Sequence, residues 1–537
     1  LADDAQEGRP PGTDADRRVQ DHVEAAMIEI GLNPAFGEAY RQPLTVTDGV
    51  RTRGDAKTEL LLGKTPIAHT LVPFGHDTGD APVRGELVYV GHGIAGEGSD
   101  GDYAGLGDAL RGKIAVILAG APNDPHLSPA STRPQSRVIA ARDRGAIAAL
   151  IVDLELEKPY PNHGAHSDLQ IPVLAVGKSD AGKILAAVGG KGGKPPKIGA
   201  RSRKSVEIAT PIEPISLATA NIGGVLRGSG AEPKRLVGAH FDHLGYGDYG
   251  SRYTGPGRLI HNGADDNASG VATILALAEA LAKIPASARP YDVVFFAFAA
   301  EEMGLLGSKH LVEAMPQAER EAILTMLNFD MVGRLRDNTV IVSGTGTSSR
   351  WPELLEQSRG GLTVKASDDG YGASDQTSFY EAGIPVLHYF SGPHDDYHRP
   401  SDDIERINGE GAIAIGDAAL NLVSIVMRER PALDYIKVER KTSQRGGFRV
   451  SLGTIPDYAA QLDGVKLSGV RPGGPAEAAG LKAGDVIVVL AGREIHNLDD
   501  YMATFAMLKP DVEIDVVVLR GEERVSLKMT PSAPARR

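Results

Sequence analysis

The chain has 537 residues, too many for one ordinary domain, so two to four domains are expected. Its 42% hydrophobic and 24% charged residues are typical of a globular protein. The net charge of −13 argues against a nucleic-acid partner, which needs a basic surface, and gives no support for docking on an anionic membrane.

With no cysteine, disulfides and thiolate metal sites are excluded, so any metal must be held by histidine and carboxylates. No apolar stretch is expected to reach the ~20 residues of a membrane span.

Residues 14–31 (DADRRVQDHVEAAMIEIG) predict an amphipathic helix, with Val19, Val23, Met27 and Ile30 at helical spacing and Gly31 ending it. From 86 to 200 the pattern turns to short β-like runs such as ELVYVGHGI and KIAVILAG around one helix-like segment. It closes in GGKGGKPPK at 189–197, a linker signal. This stretch reads as a small α/β insert. From 235 to 430, apolar runs (RLVGAH, YDVVFFAFAA, TMLNFDMV, IPVLHYF) alternate with helical segments. That alternation predicts an α/β fold around a mixed, mainly parallel central sheet flanked by helices. Beyond Pro431, residues 445–532 read as a compact module of short strands with one helix near 498–508.

Polar residues stand where the apolar runs end. RLVGAH ends in His240, with Asp242 two positions on. VVFFAFAA leads to Glu301 and Glu302, and TMLNFD ends in Asp330. IPVLHYF leads through a loop to Tyr397 and His398, and Asp265 and Asp266 precede a helix. In an open α/β sheet such strand ends converge on one rim, where ligands bind. Two histidines with three or more carboxylates suit zinc, with manganese or cobalt as weaker alternatives. One carboxylate bridging two ions would let five side chains give each ion three ligands. Two metals ~3.5–4 Å apart acidify a water and polarise a carbonyl. Of the adjacent glutamates, one can bind metal while the other faces the water as general base.

GAHFDHLG, GADDNASG, AFAAEEMGLLGS, NFDMVGR and DDYHRPSDD, in that order, resemble the motifs of the dinuclear zinc aminopeptidases, a family that includes glutamate carboxypeptidases. The resemblance implies a zinc-exopeptidase fold and two zinc ions per chain. One would be held by His240 and Asp330, the other by Glu302 and His398, with Asp265 bridging. It implies Glu301 as general base, Asp242 orienting His240, Tyr397 at the oxyanion, and a cis peptide between Asp265 and Asp266. Residues 86–200 resemble a protease-associated (PA) insert, dividing the peptidase domain into 1–85 and 201–432. The module at 445–532 resembles a PDZ domain, which takes an extended peptide, often a C-terminus, onto a sheet edge. His243, His261, His388 and His394 are expected to play outer or surface roles.

The resemblance implies peptide substrates and hydrolysis near a chain end, with release of N-terminal residues favoured. A glutamate-carboxypeptidase-like activity would require an arginine cluster, for which only Arg334 and Arg399 lie near the motifs. A non-catalytic peptide receptor or a one-metal glutaminyl cyclase shares the fold. Metal stoichiometry separates both from a dinuclear enzyme. A periplasmic or secreted location is expected by family analogy, and a start at Leu1 is compatible with signal-peptide removal.

Overall fold

A computed structural model describes all of the chain except residues 96–100, 121, 123–131, 157–159, 165, 193, 231–233, 439–449, 457–461, 472, 506, 507, 522 and 534–537. It divides into two compact units, Leu1–Val46 with Ser216–Lys441, and Thr47–Ile215 with Thr442–Arg537.

The first unit is built on a nine-stranded mixed sheet. Its centre is parallel: Lys234–His240 lies between Val293–Phe298 and Ile323–Phe329, and Val386–Phe390 follows. Every residue of Val293–Phe298 is buried, as a central strand covered on both faces requires. Helices Asp14–Ile30, Gly270–Ala282, Trp351–Ser358 and Gly409–Glu429 contribute to one core on this sheet. The first helix starts on Thr13, whose hydroxyl accepts the Asp16 amide, and stops at Gly31 with φ 88°. The 21-residue helix Gly409–Glu429 is, against the sequence expectation, long and apolar enough to cross a membrane. Here Ile415, Ala419, Leu422 and Val426 of one face sit in the core.

The second unit holds an eight-stranded sheet and a six-stranded sheet. In the former, Val83–Tyr89, Ile114–Leu118, Ala148–Val152 and Val173–Val176 run parallel. Two expected boundaries shift. Strands Glu59–Leu62 and Arg201–Ala209, assigned from sequence to the peptidase, pair in this sheet. Leu60, Val206 and Ile208 are buried in its core. Alternating hydrophobicity shows that a strand has a buried face, but not which core receives it. The stretch 189–197 therefore separates two elements of one unit and does not link domains. The six-stranded sheet carries helix Leu498–Phe505, with Thr454–Pro456 at one edge. The expected start of this module at 445 lies outside the described residues.

Candidate metal centre

The carboxyl ends of the parallel strands bring the predicted residues together. His240 closes its strand, Asp330 directly follows Phe329, and Glu301 and Glu302 follow Phe298 through a short turn. His398 arrives on the loop after Val386–Phe390 with φ 57°, a left-handed conformation uncommon outside glycine.

The centre of the cluster is Asp266. One of its oxygens lies 3.3 Å from His240 Nε2 and the other 3.3 Å from His398 Nε2. Asp330 Oδ1 is 3.5 Å from His240 Nε2, and Glu302 Oε2 is 3.2 Å from His398 Nε2. The structure thus corrects the expected bridge: Asp265 faces away. Its Oδ1 accepts the Gly333 amide at 2.6 Å and the Ser269 hydroxyl at 3.0 Å, and its Oδ2 meets His394 Nε2 at 3.1 Å. The cis peptide likewise lies between Asp266 and Asn267, one bond later than expected. Both aspartate amides donate to Asp402 Oδ2 at 3.0 Å. That carboxylate fixes the turn so that successive side chains leave it in different directions. Gly263, at φ 54°, permits the turn: a Cβ there would lie 2.1 Å from Asp266 O.

Asp242 acts differently from the expectation too. Its carboxylate is 3.8 Å from His240 Nδ1, which meets the Asp242 backbone carbonyl at 3.2 Å instead. The carboxylate accepts the amides of Glu301 and Glu302 at 2.9 and 3.3 Å, so it aims the glutamate pair. Tyr397 stacks on His398 with ring centroids 3.8 Å apart. Burial raises its phenol, and Asp266, Glu302, Asp330 and Glu301 raise it further, which holds the O–H protonated as a donor.

The electrostatics are those of buried acids with few cations. Burial lifts Glu301 well above its ordinary value, although His240 opposes; Glu302, Asp375 and Asp330 add to the rise. Burial also pushes Asp242 and Asp375 up to about 7. For His398 burial acts downward, yet Asp266 and Glu302 raise it to about 10. A site that draws positive charge onto an imidazole this strongly favours a cation.

Residues not expected among the ligands complete the site. His243, expected in an outer role, is buried and its Nδ1 lies 2.7 Å from Glu302 Oε1. The triads His240–Asp266–Asp330 and His243–Asp266–Glu302 each bring ligand atoms within 4.8 Å of one another. Asp330 Oδ1, His398 Nε2 and His243 Nε2 are buried without a hydrogen-bond partner. Orphaned donors and acceptors of this kind fit a nitrogen and oxygen ligand set for divalent metal. Asp402 and Arg334 support it: Arg334 Nη2 donates to Asp402 at 3.0 Å and Nη1 to Asp396 at 3.2 Å. Asp402 had a signal in the sequence as one of the repeated acids closing DDYHRPSDD, and Arg334 as an arginine beside NFDMVG. The contact of His394 with Asp265 and the burial of Asp375 are legible only in three dimensions.

Residues 221–423 match peptidase family M28, 83–184 match the PA domain and 436–530 match a PDZ domain. The chain is 30% identical over 190 residues to aminopeptidase YwaD of Bacillus subtilis, covering 33% of this chain and 41% of that protein. To the probable lipoprotein aminopeptidase LpqL of Mycobacterium tuberculosis it is 27% identical over 330 residues, or 53% and 59% of the two chains. It thus spans less than two thirds of the length of these curated relatives. The solved structure of BSAP, a zinc aminopeptidase from Bacillus subtilis, shares the fold. Its TM-score is 0.53 at 22% identity, over 82% of this chain and 94% of that one.

Proposed function

Because the chain carries a peptidase family M28 domain together with PA and PDZ domains, we propose that it is a zinc-dependent aminopeptidase that releases N-terminal residues from peptides. The observation that carries this reading is Asp266, whose two oxygens each face a different imidazole at 3.3 Å. His240 and Asp330 would hold one zinc, Glu302 and His398 the other, and Asp266 would bridge them. Zinc bound there supplies Lewis-acid polarisation of a carbonyl and acidifies water at the site.

The chain's own groups perform the proton transfers. Glu301 takes a proton from the attacking water and delivers it to the leaving amine, a role suited to a carboxylate whose affinity for protons burial has raised. Asp242 holds the Glu301 and Glu302 amides, so the general base and the ligand keep fixed directions. The Tyr397 phenol donates to the developing oxyanion. The arginine next to the NFDMVG motif does not present a carboxylate-binding fork, because Arg334 is engaged by Asp396 and Asp402. That supports an aminopeptidase over a glutamate-carboxypeptidase-like enzyme.

The PDZ domain is proposed to take an extended peptide, often a C-terminus, along the edge strand Thr454–Pro456. A periplasmic or secreted location is proposed by analogy with exported peptidases that carry a PA insert; cell fractionation tests it. The catalytic reading is tested with aminoacyl-p-nitroanilides and N-blocked peptides, with and without chelator, beside zinc analysis. The expected result is about two zinc per chain, cleavage only of free N-termini, and loss of cleavage with chelator. Cleavage of blocked peptides from the C-terminus, or cleavage that survives complete zinc removal, would overturn it.

A further inference from the structure

The segment before the first helix, LADDAQEGRPPG, carries a buried arginine beside the metal centre. Arg9 is entirely buried, a rare position for a guanidinium. Its Nε donates to Phe241 O at 2.7 Å, its Nη2 to Gly263 O at 2.9 Å, and its Nη1 to Asn262 O and, at 3.0 Å, to Leu1 O. Phe241 follows His240 directly. Asn262 and Gly263 belong to the turn that presents Asp266. One rigid fork therefore grips the two loops that place His240 and Asp266.

The backbone around Arg9 is shaped for this approach. Arg9 itself adopts φ 53°, and its carbonyl accepts the His243 amide at 3.4 Å. A Cβ at Gly8 would lie 2.4 Å from His261 O and 2.7 Å from Gly245 O, so only glycine lets the segment pass beneath the loop. The Gly245 amide donates to Gly8 O at 3.1 Å, which closes the contact from the other side. The donors named above all go to neutral carbonyls, and among the described residues the charge of Arg9 has no direct ion pair. The carboxylates of Asp266, Asp242, Asp402 and Glu302 act on it from a distance.

We propose that Arg9 is a positioning residue for the metal centre: its fork sets the spacing of the His240 and Asp266 loops, and its fixed charge underlies the acid cluster. This rests on the reading of the cluster as a zinc site. Lysine would keep the charge but, as a point donor on a flexible stem, could not hold the three loop carbonyls in one plane.

The test uses the full chain, with zinc affinity measured by competition against a chromophoric chelator and folding followed by circular dichroism. Partners that orient ligands typically change metal affinity 10–100-fold. Arg9→Met is expected to weaken zinc by about 100-fold, and Arg9→Lys by about tenfold. On an aminoacyl-p-nitroanilide with zinc in excess, Arg9→Lys lowers kcat with little change in KM. If both variants fold and hold zinc as tightly as the parent, the proposal fails. Should Arg9→Met not fold, Arg9→Lys decides alone: parental zinc affinity overturns the proposal and a tenfold or larger loss supports it. A parent chain that binds no zinc would instead overturn the metal-site reading.

Discussion

Buried carboxylates occur in both units, and those of the metal centre are compensated differently from those elsewhere, including Asp402 of the first unit, which pairs with Arg334. In the second unit, Asp500 and Asp485 have side chains only 1% exposed, and each meets an arginine. Arg142 Nη2 reaches Asp500 at 2.7 Å, and Arg520 reaches Asp485 through two bonds of 2.8 Å. In the first unit, Asp266 and Glu302 face imidazoles, with Glu301, Asp330 and Asp242 as further acids. An acid paired to an arginine is neutralised within the fold and serves structure. A group of acids whose direct partners are imidazoles gains most from a divalent cation. The Arg142–Asp500 pair sits where helix Pro134–Arg142 meets helix Leu498–Phe505, and Ala503 of the latter is buried in the insert's core.

The largest effect expected on this contrast comes from Asp266→Ala. It removes the one carboxylate that serves both halves of the cluster, so peptide hydrolysis should fall below detection and zinc content to one per chain or less. Near-normal zinc content would show that Asp266 does not bridge. Glu301→Gln separates chemistry from binding: kcat should drop ~10²–10⁴-fold while zinc content stays at the parent's level. Loss of zinc in that variant would reassign Glu301 as a ligand.

On the structural side, Arg142→Met leaves Asp500 buried without its cation. A cost of about 3 kcal/mol is expected in chemical denaturation. The double variant Arg142→Met/Asp500→Leu should recover much of it; an equally unstable double variant would mean that the ion pair itself contributes little. Asp265→Asn keeps the turn but weakens its hold on His394, and should lower zinc affinity ~10-fold, well short of the Asp266 effect. Equal effects at the two positions would erase the distinction between them.

The smallest effect concerns His76 and Asp168, whose Nδ1–H to carboxylate contacts are 2.9–3.0 Å long. The hydrogen bond that His76 donates to Asp168 raises the histidine, outweighing burial. Burial alone would raise Asp168, but His76 and the Gln170 amide lower it. The histidine contribution is complete below its unfolded value and fades as pH rises through the raised one. The aspartate contribution is present above its unfolded value and fades as pH falls through the lowered one. The pair therefore stabilises most between roughly pH 4 and 6.5. Both side chains are more than a third exposed, so His76→Gln should cost under about 1 kcal/mol, most in that window and less outside it. A pH-independent difference would assign the effect to packing.

Much of the site is legible in the sequence. His240, Glu301, Glu302, Asp330 and His398 each follow an apolar strand, and strand ends share a rim, so their convergence follows from hydrophobic pattern and topology. Asp265 shows where such reading stops. Two adjacent aspartates have identical chemistry, and which one faces the cluster depends on the amide clamp of Asp402, 136 residues away from Asp266. His243 was given an outer role because one histidine after HFD carries no mark of burial. Arg9 was passed over because a polar segment ahead of a helix looks like a free terminus.

The sequence by itself determined the local elements and the inventory: buried strands from continuous apolar runs, helices from their spacing and caps, and a nitrogen and oxygen ligand set from the absence of cysteine. Only the tertiary structure decided to which core the strands at 59–62 and 201–209 belong, which aspartate stands between two histidines, and that Arg9 reaches the loops that hold them. Local pattern reports how each residue relates to its near neighbours in the chain. The direction of a side chain on a turn, and the partner of a buried charge, are set by atoms hundreds of residues away.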